Sequence, residues 1–336
     1  MFIKTALYQA LGFALLSHAL PTTSCRAPGL SLTPVHTVPG TQGLENLAVR
    51  SNGHVLVTSI QSPTLYQVSP SASENPLTVA EFCGVTSLTG IVELQADVFY
   101  VIGLNLTGLA AVSGSTGLWK VDLRNSSISD DGTTLRPAEV SLVTNFPDAG
   151  LFNGMDRLAQ NDTSHVLISD SGAGTVTKVN VDTGAFETVI EDPRMSITTE
   201  ELLPIGINGL HVHEDNLFFV NFNQAVFAKV PISLSTGRAT GPVEDLATIN
   251  SGDDFILSRD GTKAWIAEHG PNVLVEVNIP RKTSRIVANS TLLLTASAVA
   301  LGRTTSDHNS LYIAAATNVN GTDVGQLVRA DFPYAL

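Results

Sequence analysis

Polar and hydrophobic positions along this chain fall into one phrase that returns six times. The clearest copy runs from Phe152 to Ser171: the weakly alternating Phe-Asn-Gly-Met-Asp-Arg-Leu, a polar turn, then His-Val-Leu-Ile-Ser-Asp-Ser. A strand that starts on a polar residue, a reversal, and a mostly apolar strand ending in small or polar residues make a β-hairpin. The same phrase lies at Glu45-Asn46-Leu47 with Val55-Leu56-Val57, and at Thr89-Gly90-Ile91 with Val98-Phe99-Tyr100-Val101. It returns at Asn208-Gly209-Leu210 with Leu217-Phe218-Phe219-Val220, at Asp253-Asp254-Phe255 with Ala264-Trp265-Ile266-Ala267, and at Ser297-Ala298-Val299 with Leu311-Tyr312-Ile313-Ala314. The starting residues Glu45, Thr89, Asn153, Asn208, Asp253 and Ser297 are 44, 64, 55, 45 and 44 positions apart. A period near ~45 residues with four strands per unit is the pattern of propeller blades. The expected fold is all-β, a six-bladed β-propeller of four-stranded antiparallel blades around a central channel.

The phrase also sets approximate blade limits: 44–82, from 85, 143–190, 205–247, 249–288, and from 292 to the C-terminus. The Asn52-Gly53 pair is a strong hairpin-turn signal inside the first. Residues 21–43 hold Pro21, Pro28, Pro34 and Pro39, so they should run extended and could supply the outer strand that closes the ring. The extra length after the second blade's start falls in two polar loops, 103–117 and 124–136, of the kind from which binding sites take their walls. The semi-apolar stretch 193–204 is either a lid over one face or an ordinary connection.

Composition supports a packed globular domain, since 43% of residues are hydrophobic and only 15% charged. A formal net charge of −13, with no Lys/Arg cluster to reverse it locally, argues against nucleic acid and anionic membrane surfaces as partners. Residues 1–20 carry Lys4, a short apolar run and small residues at Ser17-His18-Ala19, which reads as a secretory signal peptide; a retained anchor is the alternative. The domain then covers 21–336. Five glycosylation sequons, at Asn105, Asn125, Asn161, Asn289 and Asn320, agree with passage through a secretory pathway, for a secreted or vesicular protein. Cys25 and Cys83 have one pairing open to them, a disulfide pinning the N-terminal arm to the first blades; two buried thiols are the alternative.

In a propeller the innermost strands line the channel, so the six starting residues should converge at one mouth. Glu45, Asn153, Asn208 and Asp253, with the hydroxyls of Thr89 and Ser297, form an oxygen-only set that suits a hard cation such as Ca²⁺. The alternative is that they only hydrogen-bond the turns beside each inner strand. The ends of the second strands, Ser59, Asp170, Asn221, Asn223, Glu268 and His269, should reach the same mouth and offer Asp170, Glu268 and His269 as acids or bases. His211 and His213 alternate along a channel strand and fit core or surface packing better than catalysis. No nucleophile elbow, phosphate loop, zinc spacing or paired-Cys motif is present.

With these phrases, the chain resembles the SMP-30/gluconolactonase-like six-bladed propellers over nearly its whole mature length. In that superfamily a Glu, two Asn and an Asp on different blades bind a divalent cation, and the matching positions are Glu45, Asn153, Asn208 and Asp253. Glu45-Asn46, Asn153-Gly154-Met155, Gly206-Ile207-Asn208-Gly209-Leu210, Asp253-Asp254-Phe255 and residues 298–303 further resemble a fungal secreted branch. That branch includes the hetero-Diels–Alderases of tropolone sesquiterpenoid biosynthesis. The resemblance implies that a hydroxymethyl tropolone loses water to an ortho-quinone methide, which adds to a humulene-type alkene and forms a dihydropyran. Such a cycloaddition needs no cofactor and no nucleophile. The expected partners are therefore small molecules, a tropolone and a sesquiterpene. Asn221, Asn223, His269 or Thr89 would donate to the quinone-methide oxygen, Glu268 or His269 would assist loss of water, and Phe152, Met155, Phe222, Phe255 and Trp265 would form apolar walls. For Phe255 and Trp265, filling the space between blades is the simpler account. The competing readings are a Ca²⁺-dependent lactonase and a non-enzymatic ligand-binding propeller.

Overall fold

The structure is a computed structural model that describes residues 30–71, 74–128, 134–198 and 203–336. The expected signal peptide and Cys25 lie outside them. Six four-stranded antiparallel sheets form the six blades of a β-propeller. The described residues contain no helix long and apolar enough to cross a membrane; their one helical turn is the 3₁₀ segment Thr291–Leu293.

Every blade is packed between two others, so its middle strands are covered on both faces and read as continuous apolar runs. Val98–Leu104 is buried at every position. Six hydrophobic clusters each join one blade to the next, such as Leu167 and Val176 of blade three with Leu210 and Phe219 of blade four. The outermost strands meet water and alternate, which leaves Phe186 and Ile286 exposed.

The ring closes as the proline-rich stretch suggests. Ser31–Val38 is the outermost strand of blade six and pairs with Thr322–Asp331, from Ser31 opposite Asp331 to Val38 opposite Gly325. Pro34 is tolerated there because an edge strand need not donate at every position. Gly40, at φ 84°, then turns the chain inward, and Thr41 fastens the turn through Val38 O at 2.7 Å and the Gly325 amide at 3.2 Å. This strap carries Glu45 to the channel, where its amide donates to Thr58 O.

One boundary is corrected. The stretch after 139 is Glu139–Phe146, the outer strand of blade two, paired with Thr116–Asp122. Blade three begins at Phe152. The two loops of blade two contain short hairpins, Leu106–Thr107 with Ala110–Ala111 and Ser127–Ile128 with Thr134–Arg136.

The inner strands of blades two to six share a feature that alternation alone does not foretell. The pairing slips between Leu88 and Ile91, Phe152 and Met155, Ile207 and Leu210, Gly252 and Phe255, and Leu294 and Ala298. These are β-bulges, which re-aim a side chain and sharpen the local twist. Each spans the starting residue of the repeated phrase, and on blades two to five that residue reaches the channel cavity. The next position is Gly90, Gly154 or Gly209 on three blades. A Cβ on Gly154 would come within 2.6 Å of Asn208 O, and one on Gly209 within 2.0 Å of Asp254 Oδ1. Glycine there lets neighbouring inner strands approach closely.

Candidate functional site

Glu45, Thr89, Asn153, Asn208 and Asp253 converge on one cavity of about 340 Å³ at the channel mouth. Ser297 does not join them: its hydroxyl donates to Leu44 O at 2.8 Å and staples blade six to the closing strap. Thr89 lines the cavity while its hydroxyl donates to Phe152 O at 2.9 Å, joining blades two and three.

The polar floor is unevenly satisfied. Asn208 Nδ2 donates to Asp253 Oδ1 at 2.7 Å. His269 Nδ1 lies 3.3 Å from Asp253 Oδ2, near enough for charge pairing but not aligned as a hydrogen bond. The Glu45 carboxylate and the Asn153 amide have no side-chain hydrogen-bond partner among the described residues. Burial, with the negative charges of Asp253 and Asp254, pushes the Glu45 carboxyl well above its ordinary range. Burial also raises Asp253, although nearby His269 and the hydrogen bond from Asn208 pull the other way.

One to three residues further along lies a second polar layer in which the groups meet one another. Asn46 Nδ2 donates to Asp254 Oδ2 at 2.9 Å, and His211 bridges Asp156 Oδ2 at 3.3 Å and Asp254 Oδ1 at 3.6 Å. Burial opposes a charge on His211, but the two carboxylates overcome it and raise its pKa to about 10. His211 is thus a buried cation joining blades three, four and five, a structural role in keeping with its sequence reading. The inner strands then run on for roughly 3.3 Å per residue to the far mouth. There Glu93 gathers Arg303 through its carboxylate and Arg157 through its carbonyl.

The remaining candidates divide sharply. His269 and Phe222 line the cavity, with ring centroids 6.5 Å apart. Asp170 does not: its carboxylate accepts from the amides of Gly150, Leu151, Gly172 and Ala173 at 2.8–3.1 Å and holds a turn. Asn221 donates to Arg194 O and Ser196 O, both at 3.0 Å. Asn223 accepts from the Thr198 amide at 2.9 Å and donates to Leu203 O at 3.1 Å. Both therefore tether the connection between blades three and four rather than face a ligand. Glu268 is buried away from the cavity, accepts from the Asn250 amide at 3.2 Å, and is raised by burial. Phe152 and Met155 belong to the core between blades two and three, Trp265 to that between five and six beside Phe332, and Phe255 to that between four and five. A flat hydrophobic side chain beside the repeated phrase points into an inter-blade core, because the bulge sends only the polar starting residue to the axis.

Several lining residues lie outside the repeated phrase and were missed. Gln42 comes from the closing strap, Ile60 and Gln61 from the hairpin of blade one, and Thr86 and Ser87 from the start of blade two. Leu106 and Leu109 come from the first loop of blade two, Leu203 and Ile205 from the connection before blade four. Among the described residues, the second loop, 124–136, contributes nothing to the lining. The spacings of 64 and 55 were the available signal for these loops.

As a cation site, Glu45, Asn153, Asn208 and Asp253 offer the oxygen donors that a hard ion requires, and a positive charge would relieve the repulsion that raises Glu45. The described residues contain no cluster of three or more His, Cys, Asp or Glu suited to a metal, so two of the four ligands would have to be amides. The donor set fits Ca²⁺. Among the sequons, Asn125, Asn161, Asn289 and Asn320 are exposed, whereas Asn105 is half-buried and its amide donates to Gly84 O at 3.2 Å. Cys83 is exposed, which contradicts a buried thiol there, and its expected pairing with Cys25 involves a residue outside the described set.

No protein-family model matches the chain. A Sarocladium schorii protein named as a hetero-Diels-Alderase is 28% identical over 208 residues, which are 56% of this chain and 50% of that protein. The chain thus spans about half the length of that relative. A Phoma protein with the same name is 26% identical over 322 residues, covering 87% of this chain and 90% of its own. In three dimensions the chain is similar to a calcium-binding regucalcin of Agrobacterium tumefaciens, with a TM-score of 0.59, 14% identity, and coverage of 90% of this chain and 95% of the other. The resemblance inferred from the blade phrases is thus met at two levels: the fold is a six-bladed propeller similar to that of the regucalcin, and the sequence is similar to proteins named as hetero-Diels-Alderases.

Proposed function

We propose that the chain is a hetero-Diels–Alderase that joins a tropolone ortho-quinone methide to a humulene-type alkene, forming a dihydropyran in fungal meroterpenoid biosynthesis. The observation that carries this reading is one cavity with two chemistries. Its floor holds Glu45, Asn153, Asn208, Asp253 and His269, and its rim holds Leu106, Leu109, Leu203, Ile205 and Phe222. An oxygen-rich ring and a hydrocarbon ring each find a matching side. The hydroxyls facing the cavity are engaged with one another, as Thr86 with Ser87 at 3.3 Å, or with backbone, as Thr89. Neither pair resembles a nucleophile held by a base.

Loss of water from the hydroxymethyl tropolone breaks its exocyclic C–O bond; the departing oxygen takes up one proton and the ring hydroxyl gives up one. His269, Glu45 and Asp253 are the cavity-facing groups able to hold or move a proton. The quinone methide's oxygen and exocyclic carbon then each bond to one alkene carbon, and no proton moves. Holding the two partners together replaces a bimolecular encounter and can lower the barrier by several kcal/mol, about 7 or more in the best-oriented cases. An amide donor such as Asn153 would stabilise charge building on the oxygen. The test is incubation of the hydroxymethyl tropolone and α-humulene with the purified full chain. The expected result is one stereoisomer formed faster than without protein; an unchanged rate and isomer mixture would end the reading.

A second reading, a Ca²⁺-dependent lactonase, draws on the donor set at the floor. Glu45, Asn153, Asn208 and Asp253 would hold the ion, which when bound would polarise an ester carbonyl, and His269 is the base facing it. Calcium titration by calorimetry, with lactone hydrolysis followed with and without chelator, separates the two. We also place the mature chain in the secretory pathway, on the strength of residues 1–20 and the exposed sequons. Mass mapping of the secreted protein would find the N-terminus near residue 21 if this holds.

A further inference from the structure

The two departures from the ~45-residue repeat end at the same place. The 64-residue spacing from Thr89 to Asn153 contains the hairpin carrying Leu106 and Leu109, and the 55-residue spacing from Asn153 to Asn208 contains the connection carrying Leu203 and Ile205. Among the described residues, four of the cavity's seven apolar side chains thus come from inserts and not from the repeated blade; Ile60, Leu151 and Phe222 are the others. Among the described residues, the side chains that the inserts contribute to the lining are uncharged and aliphatic, whereas the two lining carboxylates lie on the floor, one on the closing strap and one on an inner strand.

The described residues of both inserts are anchored to the blades. The hairpin is tied to the start of blade three by Ala111 N to Gly150 O at 3.4 Å and closed on itself by Val112 N to Asn105 O at 2.8 Å. The connection is held by Met195, which is fully buried in the core between blades three and four. The side chains of Asn221, Asn223 and Gln224 hold its carbonyls, Gln224 through Pro193 O at 2.6 Å. Two such anchored elements form a preorganised pair of apolar jaws, which loses little conformational freedom when it closes on a ligand.

We infer that these inserts choose the partner: Leu106 and Leu109 on one side, and Leu203 and Ile205 on the other, select an uncharged hydrocarbon ring by its size, while the floor handles the oxygenated component. The inference rests on the cycloaddition reading and names the residues that set its alkene specificity. A missing methylene in an apolar pocket changes discrimination by roughly 10-fold or more, so the jaws are the place where ring size is read.

The experiment is a competition. The full chain receives the hydroxymethyl tropolone with equal amounts of α-humulene, an eleven-membered ring, and the bulkier fourteen-membered macrocycle cembrene, and the ratio of the two adducts is measured. Wild type is expected to give a ratio unlike that of the protein-free mixture. Leu109→Ala and Leu203→Ala should shift the ratio roughly 10-fold toward the bulkier alkene, and Leu109→Phe should shift it toward the smaller. These variants should raise KM for the alkene more than KM for the tropolone, and thermal unfolding confirms that they are folded. Ile286→Ser, on the exposed face of an outer strand, serves as the control and leaves the ratio where wild type has it. If the wild-type ratio survives in all three jaw variants, the inserts do not choose the partner although the cycloaddition stands. If wild type itself matches the protein-free rate and ratio, the cycloaddition reading fails and the inference falls with it.

Discussion

The channel carries two polar storeys, and they solve opposite problems. In the deeper one, Asn46, Asp156, His211 and Asp254 satisfy one another across four blades. In the shallower one, Asp253 is paired but Glu45 and Asn153 face the cavity with their hydrogen-bonding capacity open. A buried polar network strengthens a fold when every member is satisfied, and one left incomplete is expected where a ligand will complete it. The comparison therefore separates residues that hold the ring together from residues left available for chemistry, although both stand on the same strands.

The largest effect should come from breaking the deeper storey. His211→Leu leaves the Asp156 and Asp254 carboxylates buried without their cation and should cost about 3–5 kcal/mol of unfolding free energy, measured by urea titration. The same residue makes a pH signature. The His211 pKa is raised from 6.5 to about 10, so between these values the folded chain keeps a proton that the unfolded chain has lost. Its stabilisation is complete below pH 6.5 and is lost as pH rises toward 10. Urea titrations at pH 6 and pH 9 should differ by roughly 3 kcal/mol in wild type, and this difference should shrink in His211→Leu.

Glu45→Gln tests the shallower storey and should move stability in the opposite direction. Removing a carboxyl that burial and two neighbouring carboxylates disfavour should stabilise the fold by about 1 kcal/mol at pH 8. Because the Glu45 pKa is raised, that gain should fade as pH falls and the wild-type carboxyl takes up its proton. Adduct formation should drop at the same time, a trade of function for stability that no deeper-storey variant should show. The smallest effect is expected from Asn223→Ala, which touches neither storey. Loss of its bonds to Thr198 and Leu203 should raise the alkene KM a few-fold and cost about 1 kcal/mol or less of stability.

Much of this division was legible in the chain, and the limits have a physical cause. The blade phrase revealed the number of blades because a strand covered on both faces must be apolar and its turns must be polar. It also gathered Glu45, Asn153, Asn208 and Asp253, since equivalent positions on a ring must meet. What it concealed was direction. Asp170 and Glu268 follow the same kind of strand as His269, yet Asp170 turns to four backbone amides and Glu268 to Asn250, while His269 faces the cavity. Whether a polar side chain meets an amide or a void depends on the neighbouring blade, which is remote in sequence. Phe152 and Met155 appeared as walls for a similar reason, because the bulge that sends the polar residue near them inward leaves no mark on alternation, and Trp265, on the second strand of blade five, packs into the core it shares with blade six. Gln42, Leu109 and Leu203 lie in the strap and the inserts, where no repeat constrains them.

The most direct test of the two-storey account is a crystal structure of the full chain with the dihydropyran product. The account predicts the product's oxygens against Glu45, Asn153 and His269, its hydrocarbon ring between Leu109 and Leu203, and the Asn46–Asp254–His211–Asp156 contacts unchanged beneath it. Product bound elsewhere on the ring, or seated only after the His211 contacts had broken, would contradict it.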